Sequence, residues 1–496
     1  MPNFDIIRAV NLKDILHKNI YTVLFCSFFF LYLSLGLFIV YYSGVITDLN
    51  FDLVHSIDSG AAYWQLYLND HIAARKHPLI HVFLNPIIFM LKEFFRDPKL
   101  LEIVLQSLLQ STVICFVYKI LFKLTNRMSL SLLFSLVYGF SYTAILFAIF
   151  PDVYAFAATG QILFFSYFIY CYFNAKNKLD FKNFLVLVFL SVMGYGINLI
   201  NIASCGIFII FLLFKYYNRQ YKKIFIEVLK FASIIAVLIL ILFQLQNFTF
   251  SIQGRTSGVG HVRLGYTEGK ISEVIKGTYI EPLYALKSGQ SQELNEYEKH
   301  DGSVVYLPRY ITLENQSFAR CFPALIFFLF PLVFYLKNYK KYKNRAIINL
   351  LLSIVALYTL FNYSFYSEEC ALFALNFFPF FVILLGLIYE HIKPLVVNCL
   401  VGIFLIYAVF LNVFNLFDIH KFLLNYDAAG HSFLFCVLIA AIFVCACCFV
   451  FVLLKKIYDK NQFFKSVKDP YLHWVLMYAS IITIFIASRC LYRIVS

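Results

Sequence analysis

The chain has 496 residues, of which 61% are hydrophobic and 14% charged, and its mean hydropathy is +0.78. A soluble domain of this length does not carry that composition, so the class is a polytopic membrane protein. The net charge of +14 is no sign of nucleic acid in such a chain, because cytoplasmic loops carry an excess of Lys and Arg.

The first 19 residues are mixed polar, and the apolar run 20–42 that follows lacks a small-residue cleavage site. It is too long for a signal-peptide core, so it is predicted to be a retained first span. A span needs about 17–25 apolar residues. Further spans are predicted over 100–118, 128–150, 153–173, 184–200, 202–214 and 224–243. Others are predicted over 321–336, 346–362, 371–389, 395–414, 432–454 and 474–491. Asn198 and Asn201 interrupt the pair at 184–214 and suggest a short outer turn. The predicted fold is an all-α membrane protein of about thirteen spans. Its twelve cysteines are scattered through apolar runs, and no Cys or His spacing reads as a metal site.

Orientation follows from the cations. With the N-terminus inside, Lys119, Lys123, Arg127, Lys176, Lys182, Lys215, Lys222, the run Lys337 to Arg345, and Lys455 to Lys468 fall on the inner side. That holds only if 78–95, which carries Lys92 and Glu93, stays outside. Segments 58–70 and 78–95 are therefore predicted to be two helices along the outer membrane surface. The polar region 244–320 is too long for a connector and reads as a lid or small cap. The organisation is then a membrane module over 1–243 with an outer loop at 43–99, an outer region at 244–320, and C-terminal spans over 321–496.

The outer loop 43–99 concentrates chemistry-bearing residues in an otherwise apolar chain. It holds Asp52, Asp58, Tyr63, Trp64, Arg75, Lys76 and His77. Asp58 opens Asp-Ser-Gly-Ala-Ala-Tyr; Lys76-His77-Pro78-Leu79 follows; and Pro151-Asp152-Val153-Tyr154 lies at the next outer turn. Together these resemble the motifs of the GT-C superfamily of integral membrane glycosyltransferases. The resemblance covers about the first half of the chain. Ser59 stands where the family has a second acidic residue, Tyr63 falls one position late, and His77 stands at a proline position.

The resemblance implies transfer of a sugar from an undecaprenyl-phosphate-linked donor to a glycan or lipid-linked acceptor at the periplasmic face of a bacterial inner membrane. The enzymes that decorate O-antigen with glucose are similar in size and organisation. In this reading Asp58, or Asp52, is the general base, and Asp152 is a further active-site carboxylate. Arg75, Lys76 and His77 hold the donor phosphate, with Arg255 and Arg309 from the large outer region. Tyr63, Trp64, Glu368 and Glu369 contact substrate. No cofactor is implied, although a divalent cation stays open as a helper of the phosphate.

The chemistry suits these residue types independently of the family. A carboxylate can take the acceptor hydroxyl proton, typically contributing about 10²–10⁴-fold, and fixed cations stabilise the departing phosphate. Each residue also has a plainer role. Aspartates cap helices, and Arg75 and Lys76 suit anionic headgroups. Two other classes compete. An O-antigen polymerase or ligase would depend on Arg255, Arg263 or Arg309. A transporter or flippase needs polar residues inside the membrane.

The topology is directly testable. In a cysteine-free background, Glu93→Cys is expected to react with a membrane-impermeant thiol reagent added from the outer side. Labelling only after permeabilisation would reverse the orientation of every later span.

Overall fold

The computed structural model describes residues 12–41, 79–92, 94–95, 97–174, 179–198, 200–218, 220–250, 274–286, 288–298, 304–312, 318–365 and 374–424. All of them fall within one compact unit, Met1–Ala441. The expected surface helix at 58–70 and the expected spans at 432–454 and 474–491 lie outside the described residues.

Among the described residues the protein is helical apart from one hairpin. In order, α1 is Leu12–Gly36, prolonged by a π-helical turn Leu37–Tyr41; α2 is Ile80–Lys92; α3 is Pro98–Thr125; α4 is Met128–Gly139. Then come α5 Tyr142–Ile149, α6 Tyr154–Phe173, α7 Phe181–Ile197, α8 Asn201–Tyr217 and α9 Tyr221–Phe250. The last four helices are α10 Phe318–Asn338, α11 Arg345–Phe365, α12 Phe378–Ile388 and α13 Pro394–Leu424.

Seven of these helices are long and apolar enough to cross a membrane, and the α4–α5 pair, bent by 56°, would make an eighth. The expected single span 128–150 is thus two helices that meet at a sharp bend. Helices α7 and α8, of 17 residues each, reach only about 25 Å, short of a ~30 Å hydrocarbon core. The two asparagines between them form the turn: Asn198 Oδ1 accepts from Ile200 N, and Asn198 donates to Asn376 Oδ1 at 3.4 Å. Helix α2, at 13 residues, is likewise too short to span. Leu79, Ile80, Leu84 and Ile88 are buried, while Ile87 and Met90 are exposed. Its entry is pinned by Leu79 N–H donating to the Gly196 carbonyl at 2.9 Å.

Within the region 244–320, helix α9 runs on to Phe250, and residues 274–286 form a largely buried segment. Ile280, Leu283, Tyr284, Ala285 and Leu286 are all buried there. A β-hairpin follows, the exception among the described residues to an otherwise helical protein. Strand β1, Ser288–Glu298, pairs antiparallel with β2, Val304–Thr312, from Ser288↔Thr312 to Glu298↔Val304, with a bulge between Gln290 and Leu294. The β-branched and aromatic residues of Val304–Thr312 suit a strand. Tyr310 of β2 is buried against Phe422 of α13.

The core is built on α3 and α12. Helix α3 packs against α1, α4, α5, α6 and α12. Helix α12 reads FPFFVILLGLI, apolar on every side, and all of its residues are buried, as an all-round apolar helix requires. Close approach of the two depends on Gly386, where a Cβ would sit 2.7 Å from Leu121 Cδ2.

The helix ends sort into two groups. At one end Arg127 donates to the Glu390 carbonyl, Asn344 to the Leu124 carbonyl at 2.7 Å, and Tyr342 to the Ile388 carbonyl at 2.6 Å. The turns at Arg127 and at 337–345, expected on one side, therefore both meet the turn that follows α12. Burial pushes the Glu390 carboxyl up, although Arg127, Lys343 and Asn344 pull the other way. Burial and then Arg127 and Lys341 hold His391 below the ordinary imidazole range. At the other end stand Asp97, Asp152, Asn198 and Asn376.

Gly386→Val should overpack the α3–α12 contact and cost about 1–3 kcal/mol. Thermal unfolding in detergent is the check, and an unchanged transition would show that the contact can relax.

Candidate functional site

Of the residues singled out from sequence, Asp152 has a described side chain. Asp52, Asp58, Tyr63, Trp64, Arg75, Lys76, His77, Arg255, Glu368 and Glu369 lie outside the described residues, and Arg309 is a residue of β2. Asp152 sits in the turn between α5 and α6 and is 1% exposed. Its Oδ1 accepts from Tyr154 N–H at 3.1 Å, so the plain capping role is fulfilled. Its backbone carbonyl accepts from Gln106 Nε2 at 2.5 Å.

That hydrogen bond brings in a set of residues that the sequence reading missed. Glu102, Gln106 and Gln110 recur every four residues along α3, which places them on one helix face. Their exposures are 4%, 1% and 0%. Glu102 lies close enough to Asp152 for the two charges to interact. Neither Glu102 oxygen accepts a hydrogen bond from a described residue, and the Gln106 side-chain oxygen is likewise without a donor. One turn further on, Gln110 accepts from Tyr138 at 2.8 Å. Ser107, on the neighbouring face, donates to the Ala148 carbonyl at 3.3 Å. The signal for this stripe is present in LEIVLQSLLQS, as polar residues at helical spacing inside an apolar run.

The turn and the stripe are set in place by the ends of α1 and α3. Asp97 caps α3 by accepting from Lys99 N–H at 2.9 Å and also accepts from Tyr41 at 2.7 Å. The end of α1 is thereby tied to the start of α3, one turn before Glu102. Gly36 seals the same corner: a Cβ there would stand 2.5 Å from Ile103 Cγ2.

A second, uncharged network lies between α6, α8 and α11. Gln161 donates to the Asn201 carbonyl at 3.2 Å, Ser204 to Gln161 Oε1 at 3.0 Å, and Tyr358 to Asn201 Oδ1 at 3.2 Å. It is self-satisfied except for the Asn201 amide nitrogen, and it holds three helices in register. Chemically the two sites differ. The Glu102–Asp152 corner offers buried oxygen acceptors to a cation, a proton or hydroxyl donors, whereas the Asn201 network offers mostly internal bonds. No group of three or more His, Cys, Asp or Glu residues that could hold a metal ion occurs among the described residues.

Comparison with protein-family models, with curated proteins and with solved structures finds no match.

The Gln110–Tyr138 bond gives a clean energetic test. Tyr138→Phe should cost about 1–2 kcal/mol, because a buried Gln110 oxygen loses its donor. The double variant Tyr138→Phe/Gln110→Leu should recover most of that loss in thermal unfolding. No recovery would mean that Tyr138 acts through packing alone.

Proposed function

We propose that the protein is a membrane glycosyltransferase that moves a sugar from a polyprenyl-phosphate donor to a glycan or lipid-linked acceptor. The observation that carries this reading is the buried Glu102–Asp152 carboxylate pair, at the helix ends opposite the Arg127 end. Burying carboxylates is costly, and such groups inside a membrane protein mark functional sites. Oxygen acceptors of this kind suit the hydroxyl groups of a sugar.

In the proposed reaction the Asp58 carboxylate takes the proton from the acceptor hydroxyl. The acceptor oxygen forms its bond to the anomeric carbon as the bond from that carbon to the phosphate oxygen breaks. The electron pair leaves with the polyprenyl phosphate, whose growing charge is met by Arg75 and Lys76. Asp152 and Glu102 orient the acceptor by accepting from its other hydroxyls. The charge distribution of the loops supports an active site on the outer side; the inner membrane, its periplasmic face and O-antigen as acceptor class are what the sequence resemblance favours.

One observation favours a transport reading instead. Glu102 lies within the apolar window of α3, Lys99–Thr125, and continues into the Gln106–Gln110 stripe. Polar residues inside a span are what a lipid or polysaccharide transporter requires.

The test is transfer of sugar from a polyprenyl-phosphate donor by purified protein in liposomes. Asp58→Asn should lower turnover by about 10²–10⁴-fold while donor binding survives, because proton removal belongs to the transition state. Lys76→Ala should weaken donor binding and turnover together, and Asp152→Asn should be milder than Asp58→Asn. Movement of the polyprenyl lipid between leaflets with no sugar transferred would replace this reading by transport.

A further inference from the structure

The most concentrated patch of exposed cations among the described residues lies far in sequence from the carboxylate corner. Between α10 and α11 the chain reads KNYKKYKNR, and Lys337, Lys340, Lys341, Lys343 and Arg345 are all exposed. None of the five makes an ion pair with a described residue; the ion pair found among those residues is Lys230–Glu227. Arg345 lies over the Tyr339 ring at 5.9 Å, and the rest of that guanidinium is open.

The loop that carries these cations is held rigidly. Asn338 donates to the Phe334 carbonyl at 3.0 Å, Tyr335 to Asn349 at 2.9 Å, and Asn349 in turn to Tyr339 at 2.9 Å. Tyr342 and Asn344 anchor it to α12 and α3 through the Ile388 and Leu124 carbonyls. Little backbone entropy of the loop remains to be lost on binding, so the positions from which the cations extend are fixed in advance.

The same face of α10 supplies an apolar surface. Phe322, Ile326, Leu329, Val333 and Leu336 are exposed, and their spacing of three or four residues makes one stripe along the helix. That stripe runs into Lys337 and then Lys340. A hydrocarbon-facing stripe that ends in unpaired ammonium groups matches a molecule with an apolar tail and an anionic head.

We propose that the 337–345 loop and the exposed stripe of α10 form a binding site for a bilayer phospholipid with an anionic headgroup. The phosphate sits among Lys337, Lys340 and Arg345, and an acyl chain follows Leu336, Val333 and Leu329. A juxtamembrane cation near an anionic surface is worth about a fivefold gain in affinity. The inference does not depend on the glycosyltransferase reading.

The experiment uses the full chain in detergent, titrated with dioleoyl phosphatidylglycerol or dioleoyl phosphatidylcholine. Bound lipids are counted by native mass spectrometry, and thermal unfolding is followed in parallel. One phosphatidylglycerol should be retained more tightly than phosphatidylcholine and should raise the unfolding temperature. Lys337→Ala/Lys340→Ala should weaken that retention by at least about tenfold. The control Lys222→Ala/Lys223→Ala removes two exposed cations from α9 and should leave it unchanged. Excess inorganic phosphate should not displace the lipid, because it lacks the chain that follows α10. Equal retention of the two lipids, equal loss in the control variant, or displacement by phosphate would each overturn the proposal.

Discussion

The fold turns on how backbone polar groups are satisfied where a helix breaks inside an apolar core. Helix α4 ends at Gly139, and α5 begins after Phe140 and Ser141. The break leaves the first N–H groups of α5 without partners from their own helix. Residues 282–283 supply them: Tyr142 N–H donates to the Leu283 carbonyl at 3.2 Å and Thr143 N–H to the Pro282 carbonyl at 3.1 Å. Asn412 of α13 completes the junction by accepting from Ala285 N–H at 2.7 Å and donating to the Phe140 carbonyl at 2.8 Å. The bend and the inserted segment thus satisfy each other. In surroundings without water, irregular backbone can persist only with such partners.

Much else follows from that junction. The bend steers α5 toward the turn at Asp152. Because α5 also packs on α3, the turn meets the Glu102–Gln106 face. Asn415, one turn beyond Asn412, bonds Tyr142 and lies 3.4 Å from the Tyr310 hydroxyl. The base of the hairpin is thereby attached to the same helix. The carboxylate corner is a consequence of this packing. Its acceptors are buried because α3 lies at the centre of the bundle, not because any single residue is unusual.

The two ends of the bundle carry different chemistry. One gathers exposed Lys and Arg on a loop fastened by amide and phenol hydrogen bonds; the other gathers carboxylates and asparagines, several of them buried. This division suits a protein that meets anionic lipid heads at one face and handles a polar substrate at the other. In the Asn201 network, mutual bonds satisfy every buried polar group except the Asn201 amide nitrogen, so most of the cost of burying them is met.

Composition and local pattern determined much of the protein from sequence alone. The apolar runs identified the long helices, because a window of hydropathy reports on the solvent that a helix faces. Asn198 and Asn201 marked a turn, and Pro151-Asp152 marked the turn that caps α6. The cation pattern put Arg127 and the run Lys337 to Arg345 on one side, and in the fold both meet the turn at Glu390. Tertiary structure decided what hydropathy averages away. Glu102 is the one acidic residue of a long, mostly apolar helix, so a window scarcely registers it, and its meaning comes from Asp152, fifty residues on. Residues 274–286 read as loop because they lie within a long polar region; inside the fold the backbone groups of Pro282, Leu283 and Ala285 find Thr143, Tyr142 and Asn412. The β-hairpin was hidden for a related reason, since its strand residues sit within a polar, charged stretch. For Glu102 and for residues 282–285 the deciding partners are distant in the chain, and only folding brings them close.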